Sequence, residues 1–545
     1  MKHRWGVIGF VAVMSFASGG FLLQRSVQAD AASEESLFDD VMSHVNNYYV
    51  DSLGSADLYR RATEGMLDQL KDPYSVLLTG DDYRALTEQT TGNYGGLGIQ
   101  IDVRDGWITV VAPLPDTPAE RAGIESGDQI IQIEGESTEG WKSDQAVKAL
   151  KGEPGSKVRI LVRRVGVSQA MPFEIERAII HVRSVPEGTL FDGGIGYISL
   201  TPVAETSAEE LQAEIKAMQE KGMKEMILDL RRNPGGLLDQ GVEVADLFLD
   251  ARQEIVSTRG RARAASRTYV DQARQAWPDL PIVVLVDEFT ASAAEIIAGA
   301  LQDHDRAVVV GSPTFGKGLV QTLYPMAEGV ALKLTTARWY TPSGRTIQRE
   351  AESEEAQALQ AMREGGAAVD SAVPEPDTSI KARPIFRTDA GRIVRGGGGI
   401  VPDVVIRRDT LTGAEREFVR VLGDKVPAYR DVLTSFALEL KEARTLKSPA
   451  FEVSPEMLSQ VRSRLRSRGV DISEDVYGGA TDLVREQLGY EVARYVFGRS
   501  AEFRRQAEDD AQMQMALKLL RSAETPKDLL SLATRQATTA ARASN

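Results

Sequence analysis

Between Ser184 and Arg345 the chain alternates short apolar strands with helical stretches, a pattern that restricts this region to a layered α/β architecture. The strands read Ile195–Leu200, Glu225–Leu230, Ile282–Val286 and Ala307–Val310, and the helical stretches run over 206–221, 237–249 and 292–303. The flanks have other periods. From Glu34 to Thr90, within a segment 32–91, residues such as Leu37, Val41, Val45, Tyr48, Leu58, Leu67 and Leu70 recur near the helical spacing and predict short helices. Residues 92–166 switch to short β-rich runs (Leu97–Val103, Trp107–Val111, Gln129–Ile133, Lys157–Val162) punctuated by Gly, Pro and Asp, which predicts a small β module. After a core spanning 184–349, residues 350–399 are rich in Ala, Glu, Pro and Gly and read as an exposed insertion; 400–410 returns as a strand. Residues 411–545 are helical and amphipathic. At 545 residues, three or four units are expected rather than one.

The first residues carry an address. Lys2, His3 and Arg4 precede a mostly apolar run from Trp5 to Leu23, and Ala29-Asp30-Ala31 offers a cleavage site. Residues 1–31 therefore read as a signal peptide or a retained N-terminal anchor. Either one predicts an exported protein, periplasmic or held on the inner membrane facing the periplasm.

Composition narrows the chemistry. A net charge of −15 argues against a nucleic-acid partner gripped through its phosphates. With no cysteine, thiol nucleophiles and cysteine-ligated zinc are excluded. Only His3, His44, His181 and His304 exist, His3 lies in the leader, and none has metal-binding spacing, so neither a histidine triad nor a bound metal is expected. No cofactor is expected either.

The strand ending at Val286 is followed by the turn Asp287–Ala291 and then by Ser292, which opens a helix. Small neighbours leave its hydroxyl approachable, and first-turn amides lack intrahelical acceptors, so they can stabilise an anion. Such a serine is ordinarily an N-cap; to act as a nucleophile it needs a base. With histidine scarce, the candidate is Lys317, flanked by Gly316, Gly318 and apolar residues, provided burial lowers its pKa toward neutrality. Activity would then rise as the pH passes upward through that pKa. Gln321, four residues on, returns to the same face and can orient the amine without adding charge. Gly311 to Lys317 also matches the phosphate-loop pattern, but Gly318 stands where a Ser or Thr is needed and a strand follows where a helix is needed. The turn Asn233-Pro234-Gly235-Gly236 after the strand ending at Leu230 exposes backbone N–H groups, making Gly235 and Gly236 candidate oxyanion donors.

Together, Tyr94-Gly95-Gly96-Leu97-Gly98-Ile99, Ala122-Gly123-Ile124 with Gly127-Asp128-Gln129-Ile130, Asn233-Pro234-Gly235-Gly236, Thr290-Ala291-Ser292-Ala293-Ala294-Glu295 and Gly316-Lys317-Gly318 with Gln321 resemble the PDZ-containing carboxy-terminal processing (tail-specific) proteases over residues 35–410. The resemblance implies a multidomain α/β fold: a helical N-terminal segment, a PDZ module, a ClpP/crotonase-like core and a helical C-terminal region. It also implies Ser292 as nucleophile, Lys317 as general base and Gln321 positioning the lysine, with Gly235 or Gly236 and the Ala293 amide as the oxyanion hole. Gly96, Leu97, Gly98 and Ile99 resemble the PDZ carboxylate loop, which receives a peptide's terminal carboxylate while the next strand pairs with its main chain. Leu97, Ile99 and Ile101 would line the slot for an apolar terminal side chain. The expected function is an exported serine endopeptidase acting on proteins with apolar C-termini; the alternative is an inactive PDZ scaffold. Helices at both ends favour a homo-oligomer, and the late ones could hold an adaptor protein.

Overall fold

The computed structural model describes residues 34–327, 329–349, 383–406 and 411–543; the leader and most of the 350–399 insertion lie outside the described residues. Among the described residues no helix is long and apolar enough to cross a membrane. The chain forms two compact units, one running up to Tyr83 together with Gln321–Thr335, the other comprising Arg84–Val320 and the chain from Thr336.

In the first unit a helix over 34–48 and the helix Ser55–Asp68 realise the expected periodicity. Met42 and Leu67 are buried, whereas Leu37, Phe38, Val41, Tyr48 and Tyr49 are exposed. The strand Val76–Thr79, not anticipated from the pattern, pairs antiparallel with 330–333, from Val76 against Lys333 to Thr79 against Val330.

The second unit contains the β module. Ile99–Arg104, Trp107–Pro113, Gln129–Ile133, Lys157–Arg163 and Met171–Glu176 form one antiparallel sheet in that order, so it extends past residue 166. Lys157–Arg163 shows why: Val158, Ile160 and Val162 are buried while Lys157, Arg159 and Arg163 face out, the period-2 alternation of a sheet with one dry face. Asp128, fully buried, is held by a two-pronged bond from Arg164, at 2.7 Å to each oxygen.

The core of the unit is a six-stranded sheet in the order Thr189–Phe191, Ile195–Ser199, Glu225–Asp229, Ile282–Val286, Val308–Gly311, Val404–Val405, parallel throughout except for the first hairpin. Because the strands follow one another without reversal, right-handed crossovers place their helices on one face. Ser207–Glu220, Leu238–Asp246 and Ala293–Asp303 accordingly bury Leu211, Ile215, Val244 and Ile297 against Met226, Leu228, Ile282 and Val284. The opposite face, built from Ile227, Val283, Leu285, Val308 and Val310, would be left open by those connections. The helices Ala511–Arg521 and Pro526–Ala543 cover it with Met513, Leu517, Leu520 and Leu529. The C-terminal region thus divides in two: residues 413–497 form a helical bundle with its own core around Phe418, Val432, Val461 and Leu488, and the last helices complete the α/β/α sandwich. Within the expected insertion, Ile385–Arg387 and Ile393–Arg395 form a hairpin.

Candidate active site

Two turns meet at the C-terminal ends of the central strands. The first leaves Asp229 and enters Arg231–Gly236; the second leaves Val286 and reaches Ser292. Asp287 ties them together, one of its oxygens accepting from the N–H groups of Arg232 (2.9 Å), Phe289 (3.1 Å) and Thr290 (3.1 Å). The Thr290 hydroxyl donates to the Leu230 carbonyl (2.8 Å), and the Ala291 N–H to the Asn233 carbonyl (2.9 Å). At Gly235, with φ +85°, a Cβ would lie 2.5 Å from the Ala291 oxygen and 2.7 Å from the Ser292 Cβ. That contact explains why the turn has no side chain there.

Ser292 takes φ 55° and ψ −120°, a strained backbone for a residue with a Cβ and the geometry of a sharp strand-to-helix elbow. The side chain is half-buried, makes no capping bond to its helix and has no hydrogen-bond partner among the described residues. The Glu295 N–H donates to the Ser292 carbonyl (2.9 Å), and the Glu295 carboxylate takes the Ser292 N–H (2.8 Å). The hydroxyl is left for other work.

Glu295 is fully buried, with no cation bound to its carboxylate among the described ion pairs. Its Oε2 accepts from the N–H of Ser292 (2.8 Å) and of Lys317 (2.9 Å); its Oε1 accepts from the Thr314 hydroxyl (2.5 Å) and the Gly316 N–H (2.7 Å). One carboxylate oxygen therefore joins the serine's backbone to the lysine's. Burial pushes this carboxyl upward from its ordinary range, opposed by the four donors. The Lys317 segment is fastened elsewhere too: the Trp339 indole donates to the Lys317 carbonyl (3.0 Å), the Ile400 N–H to Thr314 Oγ1 (2.7 Å), and the Phe315 N–H to the Thr290 carbonyl (3.0 Å). The Lys317 side chain is half-buried.

The backbone donors near Ser292 differ in availability. The Gly235 N–H donates to Asn233 Oδ1 (2.8 Å), whose amide in turn donates to the Leu200 carbonyl (2.6 Å). The N–H groups of Gly236 and Ala293 reach no acceptor among the described residues. Gln321 lies in the first unit, on the strand Leu319–Ala327, where its amide donates to Thr335 Oγ1 at 3.4 Å. In the β module, the amides of Leu97 and Gly98 likewise reach no described acceptor, while the Gly98 carbonyl takes the Leu114 N–H (2.9 Å) and the Thr117 hydroxyl (3.2 Å). Gly98 has φ +76°, and a Cβ there would strike Thr117 at 2.4 Å. Leu97 is buried in the module's core, and Ile99 and Ile101 pack partly buried against it. Glu295, Thr314, Asp287, Asn233 and Thr290 are site residues whose roles the sequence did not assign. Only the Ser-x-x-Glu spacing of 292–295 carried a signal, that of a capping box.

Peptidase family S41 matches residues 194–354, and a PDZ domain matches residues 109–164. The carboxy-terminal-processing protease of Bartonella bacilliformis is 39% identical over 350 residues, covering 63% of this chain and 80% of that protein. The carboxy-terminal processing protease CtpA of Bacillus subtilis is 35% identical over 325 residues, covering 59% and 69% respectively. Among solved structures, a photosystem II D1 C-terminal processing protease aligns at 28% identity over 58% of this chain and 90% of its own, with a TM-score of 0.33. The two family matches and the identities to the two curated relatives lead to one conclusion: the chain belongs to peptidase family S41, as a serine-type carboxy-terminal processing peptidase with a PDZ domain.

Proposed function

We propose that Ser292 is the nucleophile and Lys317 the general base of this peptidase. The observation that carries the reading is the Glu295 carboxylate, which holds the two residues' N–H groups on a single oxygen, 2.8 and 2.9 Å away. The Ser292 Oγ attacks the scissile carbonyl and gives its proton to the neutral Lys317 amine. The tetrahedral oxyanion is received by the Gly236 and Ala293 N–H groups, the donors left unused, while the Gly235 N–H is committed to Asn233. Collapse returns the proton to the leaving amine, and water then hydrolyses the acyl-enzyme. A hydrogen bond from the Ser292 hydroxyl to the Lys317 amine forms when substrate arrives, as catalytic bonds commonly do. Gln321 orients the amine, a role supported by its place four residues along the same chain segment.

The PDZ domain binds peptide, and we assign terminal-carboxylate capture to the loop Gly96–Ile99, supported by the unengaged Leu97 and Gly98 amides. Tails with apolar ends are the substrates this slot favours, Ile99 and Ile101 lying beside it. The leader motif supports export, with the working domains in the periplasm. The exposed Leu37, Phe38 and Val41 on the first helix support a homo-oligomer.

The test is an unstructured protein ending in apolar residues, incubated with wild type, Ser292→Ala and Lys317→Ala, with products read by mass spectrometry. Both variants should bind the tail and leave it uncut. Cleavage by Ser292→Ala at the wild-type rate would refute the assignment; a wild type that binds but never cleaves would make the protein a scaffold.

A further inference from the structure

The C-terminal helices also reach the C-terminal ends of the central strands, where the two turns meet. Asp229, at the end of its strand, accepts from the Arg231 N–H (2.9 Å), from Arg231 Nε (3.0 Å) and Nη2 (2.7 Å), and from the Tyr197 hydroxyl (3.0 Å). The guanidinium's remaining arm, Nη1, points away from the sheet to Asp510 Oδ2 (2.6 Å) and Gln512 Oε1 (3.2 Å). Asp510 is the N-cap of the helix Ala511–Arg521, its Oδ1 accepting from the N–H groups of Gln512 (2.9 Å) and Met513 (3.1 Å). The Gln512 side chain continues to the Ile406 carbonyl (3.1 Å), just past the edge strand. One aspartate thus starts a helix with one oxygen and, with the other, holds the arginine at the mouth of the turn that ends in Gly236. Burial opposes the Arg231 charge, and the two carboxylates more than offset it.

The other anchors of that turn, Asp287, Asn233 and Thr290, lie inside the stretch matched by the peptidase family. Asp510 does not. We propose that Asp510 is a positioning residue for peptide hydrolysis, acting through Arg231 to set the entry of the 231–236 turn and hence the direction in which Gly236 presents its N–H beside Ser292. The C-terminal helical layer is then a working part of the peptidase rather than an appended domain. The inference rests on Ser292 being the nucleophile and Gly236 an oxyanion donor.

Asp510→Asn in the full-length chain separates this role from simple helix capping. Asparagine caps a helix as well as aspartate does, so the helix start survives while the ion pair to Arg231 is lost. With an unstructured apolar-tailed substrate, kcat should fall about tenfold, less than for outright removal of an oxyanion donor. KM and Tm should stay near wild type. Arg231→Lys, which keeps a charge but not the fork, should lose a similar factor, and the double variant should lose little more than either single one. Wild-type kcat in both single variants, alongside an inactive Ser292→Ala, overturns the proposal and leaves Asp510 a cap. A fall in activity matched by a fall in Tm overturns it likewise. An active Ser292→Ala instead condemns the underlying assignment of the nucleophile, and this inference with it.

Discussion

Replacing Glu295 by glutamine is the perturbation that most directly tests how this site is assembled. Glutamine keeps the volume but exchanges one acceptor oxygen for an NH2 group. Facing Oε2, that group would confront the Ser292 and Lys317 N–H groups, both donors with no alternative. Facing Oε1, it meets the Gly316 N–H and the Thr314 hydroxyl, and the hydroxyl can turn to accept. The amide will take the second orientation, leaving the Gly316 N–H as a buried donor without a partner, at about 1–3 kcal/mol. The bonds from Ser292 and Lys317 survive but lose the strength that an ionised acceptor confers. Relief of a buried charge offsets part of this, so global stability should fall by about 1–2 kcal/mol. On the proposed roles, displacement of Lys317 relative to Ser292 should lower kcat by roughly ten- to a hundredfold, since small misplacements at reacting atoms cost that much. The assay is steady-state cleavage of an unstructured apolar-tailed protein, with thermal unfolding and labelling of Ser292 by an organophosphorus probe in parallel. KM should hardly change, because the PDZ domain is untouched. A Glu295→Gln enzyme with kcat within twofold of wild type would refute the claim that this carboxylate aligns the two groups.

Gly235→Ala should leave a folded protein with activity reduced at least a hundredfold, because the new methyl group meets the Ala291 oxygen and the Ser292 Cβ at 2.5 and 2.7 Å; wild-type kcat would show that the turn can retreat without consequence. Leu520→Ala, in the helix packed on the second face of the sheet, should destabilise the protein by about 2–5 kcal/mol in denaturant titration, and a change below 1 kcal/mol would contradict that packing. Asp271 is buried and its carboxyl is pushed up to about 6, chiefly by burial, with the Asp246 and Asp250 carboxylates adding while the Ala273 N–H pulls it down. The folded state therefore favours the protonated form. The stability this lends is full below the ordinary value of 3.8 and lost as the pH rises through about 6. Asp271→Asn keeps the acceptor for Ala273 and removes that loss, so its Tm should exceed wild type at pH 7 and match it near pH 4; an equal offset at both would refute the reasoning.

Much of this architecture is local and was legible as such. Helical spacing in 34–70, alternation in 157–163 and apolar strands between helical stretches in 184–345 report which face of each element is dry, and that information resides in a window of a dozen residues. Ser292 and Lys317 emerge as candidates by elimination, because a chain with no cysteine and few histidines leaves few other groups to act as nucleophile and base, and the roles proposed for them come from the family resemblance. Tertiary structure alone decided the rest. Glu295 sits three residues from Ser292, where its spacing announced one capping bond; the Thr314, Gly316 and Lys317 donors come from a separate segment and have no period to betray them. That Asn233 takes the Gly235 N–H and leaves that of Gly236 depends on a side-chain rotamer inside a turn. That the last helices cover the sheet follows from strand order, which leaves one face bare and requires a cover without saying which segment supplies it. Periodicity encodes burial along the chain, but the pairing of one buried surface or donor with another is set only when distant segments close on each other.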